Sequence, residues 1–151
     1  MFKKLTAIAA LLLMVSATAL AANTDTESSE VQCIIADKAA DMSKSADYKD
    51  GKVYFCCGGC ASKFAKTEAK YAVKANHQLV ATKQYEQKMC PFSGRPADAN
   101  KTTMVAGVKV AFCCDGCKSK VESTKDDEAK MALIFADKKF TKAFKKTATK
   151  K

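Results

Sequence analysis

Polar and apolar residues are unevenly sorted along this chain, and the sorting predicts most of its elements. Between Leu5 and about Leu20 the residues are almost all apolar, whereas residues 23–31, NTDTESSEV, are polar up to the final valine and read as a flexible leader. Residues 48–55, YKDGKVYF, set Asp50-Gly51 between residues of strand propensity, which predicts a tight hairpin turn. Residues 104–112, MVAGVKVAF, repeat the pattern, with Gly107 supplying the positive φ such a turn needs. Residues 61–88 are rich in Ala, Lys, Glu and Gln without Gly or Pro, and predict one long helix with a break near Asn76. Phe64 and Tyr71 share a face of that helix, which Leu79 and Val80 continue. A second helix is expected over residues 118–136, with Val121, Met131, Ile134 and Phe135 buried. A further basic helix is expected around Phe140 and Phe144.

The first apolar run has its own logic. Lys3 and Lys4 precede it and Ala19-Leu20-Ala21 closes it, the layout of a secretory signal peptide over residues 1–22. The run is short for a bilayer span and no stop-transfer pattern follows. No cysteine stands at the cleavage point to carry a lipid. These features predict a periplasmic or secreted protein with no transmembrane segment once processed. About 130 residues then remain, enough for one ordinary domain or two very small ones.

Charge changes the picture little. Setting aside Lys3 and Lys4 leaves 24 basic against 16 acidic residues, a formal charge of +8. Seven of the last fourteen residues are lysine. Residues 138–151 read as a basic C-terminal tail, a solvated helix end capable of weak contact with an anionic surface. No arginine-rich or aromatic-interleaved pattern points to nucleic acid.

A repeat organises everything else. With an offset of 57, Cys33 falls on Cys90, Cys56 on Cys113, Cys57 on Cys114 and Cys60 on Cys117, which matches all eight cysteines without a gap. Ala40-Asp41, Lys52-Val53 and Ser62-Lys63 meet Ala97-Asp98, Lys109-Val110 and Ser119-Lys120. The chain is a tandem duplication. Residues 32–88 form the first repeat and 89–137 the second, each a cysteine-bearing loop, a β-hairpin, a cysteine cluster and a helix. The expected fold is small α+β, two β-hairpin-plus-helix modules in tandem. Modules of this size commonly need a metal, a disulfide or a neighbour to hold them.

Within a copy the spacing is C-x22-C-C-x2-C. The hairpin folds Cys33 back toward Cys56 and Cys60, and a metal–thiolate site offsets the loop-closure entropy. The cluster sits where strand gives way to helix, so the helix dipole favours thiolate there. Lys63 and Lys120 stand three residues beyond Cys60 and Cys117 and read as exposed helix lysines, with charge compensation of a thiolate site as the alternative. Cys56 and Cys57 cannot bridge each other, because adjacent Cα atoms lie about 3.8 Å apart and disulfides need roughly 4.4–6.8 Å. Strand alternation would turn one of the adjacent pair away and leave three ligands. A sharp turn at Cys57 would instead gather four into a tetrahedral sulfur set suited to zinc. Both arrangements fit the spacing.

Cys33, Cys56 and Cys60 at C-x22-C-x3-C, with Phe55 before the cluster and Phe64 and Tyr71 after it, resemble the TRASH and YHS family of metal-binding modules. Cys90, Cys113 and Cys117 with Phe112 carry the same resemblance, and the opening CPFSGRPAD is similar to that of related exported proteins. The likeness spans residues 32–75 and 89–125. It implies a treble-clef or zinc-ribbon-like fold, ligand duty for the three spaced cysteines, and handling of copper or other heavy metals. The chain departs from the pattern at Ile34, where the second copy has Pro91, at Val121, which replaces the aromatic at Phe64, and at Cys57 and Cys114, where serine is usual.

Two rival readings stand beside metal binding. In an exported protein eight cysteines can make four structural disulfides. Cys57-Gly58-Gly59-Cys60 and Cys114-Asp115-Gly116-Cys117 also have the C-x-x-C form of a thiol–disulfide oxidoreductase, although a thioredoxin-like fold would need a βαβ context. His77, the single histidine, is expected at an exposed or helix-end position without a catalytic role. Asp41 and Asp98 read as turn or cap residues, Asp115 as the cap of the second helix, and Met89, beside Cys90, as the one methionine near the cysteines. The sequence thus predicts a non-enzymatic metal-binding protein. It would buffer, deliver or sense a soft or borderline ion, holding about one Zn(II) or Cu(I) per repeat with Cys33, Cys56, Cys60, Cys90, Cys113 and Cys117 as ligands. Cys57 and Cys114 would be fourth ligands or exchange thiols, and a metal transporter or acceptor protein would be the partner.

Overall fold

A computed structural model describes residues 31–148; the expected signal peptide and nearly all of the leader lie outside the described residues. The elements in chain order are β1 (Asp41–Tyr48), β2 (Gly51–Phe55), α1 (Gly58–Lys66), α2 (Glu68–Ala81), β3 (Tyr85–Gln87), β4 (Asp98–Val105), β5 (Val108–Phe112), α3 (Asp115–Glu122), α4 (Asp127–Phe135), α5 (Asp137–Ala143) and β6 (Phe144–Lys146). This is a small α+β fold, with strands paired as β1–β2, β4–β5 and β3–β6, all antiparallel. No helix among the described residues is long and apolar enough to cross a membrane.

The 57-residue offset reappears in the backbone. Tyr48 pairs with Gly51 and Val105 with Val108 at the hairpin ends, while Asp41 pairs with Phe55 and Asp98 with Phe112 beyond a bulge. Inside each bulge the aspartate closes a small turn, Asp41 Oδ1 accepting from the Ser43 N–H and Asp98 Oδ1 from the Asn100 N–H, both at 2.9 Å. Those two aspartates do the turn duty that their recurrence suggests. Strand alternation then buries Val53 and Phe55 in one copy and Val108, Val110 and Phe112 in the other.

The first hairpin turn sits one residue earlier than Asp50-Gly51. Lys49 and Asp50 span it, with Lys49 at φ 52°, and Ala106 at φ 47° and Gly107 at φ 80° span the second. Gly51 opens β2 instead, where a Cβ would meet Gln84 Oε1 and Leu79 Cδ2 at 2.8 Å. The glycine is needed for close packing rather than for the turn.

The long first helix breaks at Thr67, not at Asn76. Thr67 Oγ1 donates to the Lys63 carbonyl at 2.8 Å while its N–H tightens onto Phe64 O at 2.9 Å, so the α pattern stops. Thr124, at the equivalent position, donates to Lys120 O and Val121 O in the same way at 3.1 Å. The expected helix over residues 118–136 is therefore two helices. Asp115 does not cap the first of them: it is the first residue of α3, after Cys114 as N-cap, whereas Asp126 caps α4, accepting from the Ala129 N–H at 2.7 Å. Residues 85–87 leave the helix altogether as β3.

Residues 138–146 of the basic C-terminal segment pack onto the core. Lys138, Lys142, Lys145 and Lys146 face outward, but Phe140, Ala143 and Phe144 are buried, and Phe144 begins β6 rather than continuing a helix. β6 pairs with β3, and α2 packs on α4, so the second halves of the two copies meet each other. One continuous apolar core results, running from Phe55, Phe64 and Leu79 through Phe135, Phe140 and Phe144 to Val110, Phe112 and Val121. At the seam Asn76 Nδ2 donates to Phe135 O and Asp137 Oδ1, both at 2.8 Å. The carbonyl oxygen of the same amide is buried without a partner among the described residues.

Candidate metal centres

Each cysteine group is assembled from three places. Cys33 and Cys90 sit in short knuckle turns ahead of the hairpins, closed by the isolated bridges Gln32–Ala39 and Met89–Pro96. Their N–H groups donate to Lys38 O and Arg95 O at 2.7 and 2.8 Å. The turns pass through positive φ at Asp37 (46°) and Gly94 (71°), residue types that tolerate it. Cys56 and Cys113 directly follow β2 and β5. Cys60 and Cys117 are the third residues of α1 and α3, one turn of helix from the strand ends.

The result is two matching triads. The sulfurs of Cys33, Cys56 and Cys60 all lie within 4.8 Å of one another, and so do those of Cys90, Cys113 and Cys117. Cys56 and Cys60 are 3.8 Å apart, Cys113 and Cys117 3.9 Å. Thiolates around one zinc at about 2.3 Å stand roughly 3.8 Å apart, so the triads fit one ion each. Cys57 and Cys114 are the N-cap residues of α1 and α3, with extended backbone at φ −161° and ψ 163° in both copies. That extended step keeps them out of the triads, although Cys114 Sγ remains 3.8 Å from Cys113 Sγ. Cys57 is exposed and Cys114 half-buried, at the rims of their centres.

All eight cysteines are free thiols, and none of the bridges a disulfide scaffold requires is formed. Among the described residues every paired strand is antiparallel, so neither C-x-x-C lies in the parallel βαβ context of a thioredoxin-like exchanger.

The local fields sort the thiols. Burial works against ionising Cys33 and Cys90, yet the N–H groups aimed at them outweigh it and lower both; the donors are Cys56, Ile35 and Ala36 in one copy, Ser93, Cys113 and Phe92 in the other. Burial and the neighbouring sulfurs push Cys60 and Cys117 up to about 12. Thiols packed this closely repel as thiolates unless a cation sits among them. The Cys60 and Cys117 backbone N–H groups are the first cause lowering Cys57 and Cys114, as expected at a helix start.

No protein-family model matches the chain, no curated protein matches it, and no solved structure matches it. The triads stand on their own geometry.

Other singled-out residues fall away from the centres. His77 lies inside α2 rather than at a helix end, half-buried, with Nε2 2.9 Å from Ala106 O and its ring edge-on to Phe135 at 5.1 Å. Burial lowers its pKa, and it ties the first copy to the turn of the second. Lys63 and Lys120 are both exposed, and Lys120 Nζ lies 5.5 Å from the centre of the Phe92 ring. Met89 is partly exposed, its N–H donating to Ala143 O at 3.1 Å.

Two residues at the second centre carry no signal in a cysteine-spacing argument. Ser93 Oγ lies 3.1 Å from Cys113 Sγ, and Arg95 Nη2 donates to the same sulfur at 3.5 Å. The Ser93 hydroxyl is the first cause lowering Cys113, whereas burial raises its counterpart Cys56. Comparing the knuckle sequences of the two copies finds the difference: Ala36 and Lys38 occupy the equivalent places.

Proposed function

We propose that this chain is a non-catalytic metal-binding protein that holds one soft or borderline ion, Zn(II) or Cu(I), in each repeat. The observation that carries the reading is the pair of three-sulfur groups at equivalent positions, Cys33–Cys56–Cys60 and Cys90–Cys113–Cys117, in a chain whose cysteines are all free. Sulfur donors suit such ions, and three protein ligands leave a coordination position open for exchange. Cys57 and Cys114, exposed or half-exposed beside each triad, would occupy that position transiently as the ion enters or leaves. Buffering or delivery to a transporter or acceptor protein follows from that openness.

The treble-clef or zinc-ribbon-like description, membership of the TRASH and YHS family, and export through a signal peptide over residues 1–22 belong to the same proposal. Knuckle, hairpin and cluster helix in this order support the first. The Lys3-Lys4, apolar and Ala-Leu-Ala pattern supports the last and would place the protein in the periplasm or outside the cell.

Native mass spectrometry of the processed chain, purified without chelator or reductant, tests the reading beside a thiol count after denaturation. Two metal adducts with eight free thiols support it. A metal-free mass with four disulfides would replace the ion centres with staples.

A further inference from the structure

The two triads differ at one sulfur. Cys113 Sγ receives the Arg95 guanidinium at 3.5 Å and faces the Ser93 hydroxyl at 3.1 Å. At the first triad Cys56 Sγ has Cys60 Sγ, 3.8 Å away, as its hydrogen-bond partner among the described residues. Ala36 replaces the hydroxyl there, and Lys38 replaces the planar guanidinium fork.

The second knuckle also has a brace of its own kind, built on an aromatic ring and lysines. Ser93 Oγ accepts from the Arg95 N–H at 3.2 Å, which orients both donors. Phe92 stacks on Phe112 with ring centres 6.1 Å apart, while Lys139 and Lys120 lie 4.9 and 5.5 Å from the Phe92 ring centre. Lys142 packs so closely on Gly94 that a Cβ there would meet its Cε at 2.8 Å. In the first copy Ile35 stands where Phe92 does, and the side chains that reach the turn are Lys74, paired with Asp37 at 3.7 Å, and Gln78, whose Nε2 donates to Gln32 O at 2.8 Å.

We propose that Ser93 and Arg95 make Cys90–Cys113–Cys117 the tighter of the two centres, so that metal loads there first and Cys33–Cys56–Cys60 is the centre that exchanges. The inference rests on the metal reading above. Three thiolates leave one net negative charge around Zn(II) and two around Cu(I), which is costly in a half-buried site. A guanidinium and a hydroxyl donating to one thiolate offset that charge and hold the sulfur in place. Asp115, the acidic residue in the first turn of α3, pairs with Lys101 at 2.7 Å, and among the described residues no carboxylate forms an ion pair with Arg95. Ser93 and Arg95 are positioning residues that act through Cys113.

The test is zinc competition against a chromophoric chelator, using the reduced chain with one centre removed. Cys33→Ser with Cys60→Ser isolates the second centre, and Cys90→Ser with Cys117→Ser isolates the first. The second centre should bind about tenfold more tightly or better, and Ser93→Ala with Arg95→Lys should remove that margin, since lost partners of a ligand cost about 10–100-fold. Ser93→Thr, which keeps the hydroxyl, should retain it. Ala36→Ser with Lys38→Arg should tighten the first centre, a gain that misfolding cannot imitate. With Co(II) in place of zinc, the sulfur-to-metal charge-transfer band of the second centre should lie at higher energy and move red in Ser93→Ala with Arg95→Lys. Equal affinities, or a margin untouched by those substitutions, overturn the ranking while leaving two centres in place. Failure of both isolated centres to hold either zinc or Cu(I) overturns the metal reading itself.

Discussion

The two copies share a backbone plan yet fill it differently. In the first, Phe64 of α1 reaches under the hairpin to meet Tyr48 and Phe55, each ring centre 5.4 Å away. In the second the same positions are Val121, Val105 and Phe112, and aromatic packing comes from the knuckle side through Phe92. One copy is thus braced beneath its cluster helix, the other at its first ligand turn. A shared cysteine register therefore sets where ions can sit, while divergent packing sets how firmly each ligand is held.

Ligand removal gives the largest expected effect on that comparison. Cys60→Ser should abolish the ion of the first centre and spare the second, and Cys117→Ser should do the reverse, read as loss of one adduct in native mass spectra. A loss of both ions from either variant would mean the triads are one coupled site.

Core truncation comes next. Phe64→Ala should cost about 3–5 kcal/mol, and Val121→Ala about 2 kcal/mol, by urea unfolding of the metal-loaded chain. Equal losses would show that the aromatic brace under α1 carries no special weight.

Gly51 offers a sharper local contrast, since Val108 stands in its place in the second copy. Gly51→Ala must displace Gln84 and Leu79 and should cost about 1–3 kcal/mol. Gly116→Ala, with nothing within 4 Å of the added carbon, should change the melting temperature little.

The smallest effect concerns the seam. The Asn76 amide is the first cause holding the Asp137 carboxyl below its ordinary range, with Lys49 and Tyr48 adding to it against partial burial. A carboxyl depressed on folding stabilises the protein above its unfolded value of about 3.9 and loses that contribution as pH falls through the folded value. Asp137→Asn should therefore lower the urea midpoint near neutrality, and its gap to the parent should narrow in acid. A gap independent of pH would remove the seam carboxylate from the stability of the pair.

Much of the plan is legible in local pattern, because strand alternation, turn chemistry and cysteine register are short-range properties. The hairpins, the cluster helices and the aspartate turns at Asp41 and Asp98 are of this kind. The helix break has a local mark too, a threonine at the equivalent positions 67 and 124, and each back-bonds to a lysine carbonyl four residues earlier. Asn76 misleads because its polarity suggests a break, whereas its amide is consumed in joining the copies. Gln78 and Gln87 show the limit most plainly. Gln78 holds the backbone N–H and C=O of Tyr54, and Gln87 those of Ala111, the equivalent residue, though the two glutamines are not themselves equivalent.

By itself the sequence determined a duplicated unit, its hairpins and the pool of eight cysteines. Only tertiary structure decided that three sulfurs converge in each copy while Cys57 and Cys114 stay at the rim, because that depends on the extended backbone at the helix caps. Tertiary packing also turned the lysine-rich end into α5 and β6. Residues 138–146 offer too few apolar side chains to declare a core on their own, and Phe140 and Phe144 become buried only when the surface presented by the first copy covers them.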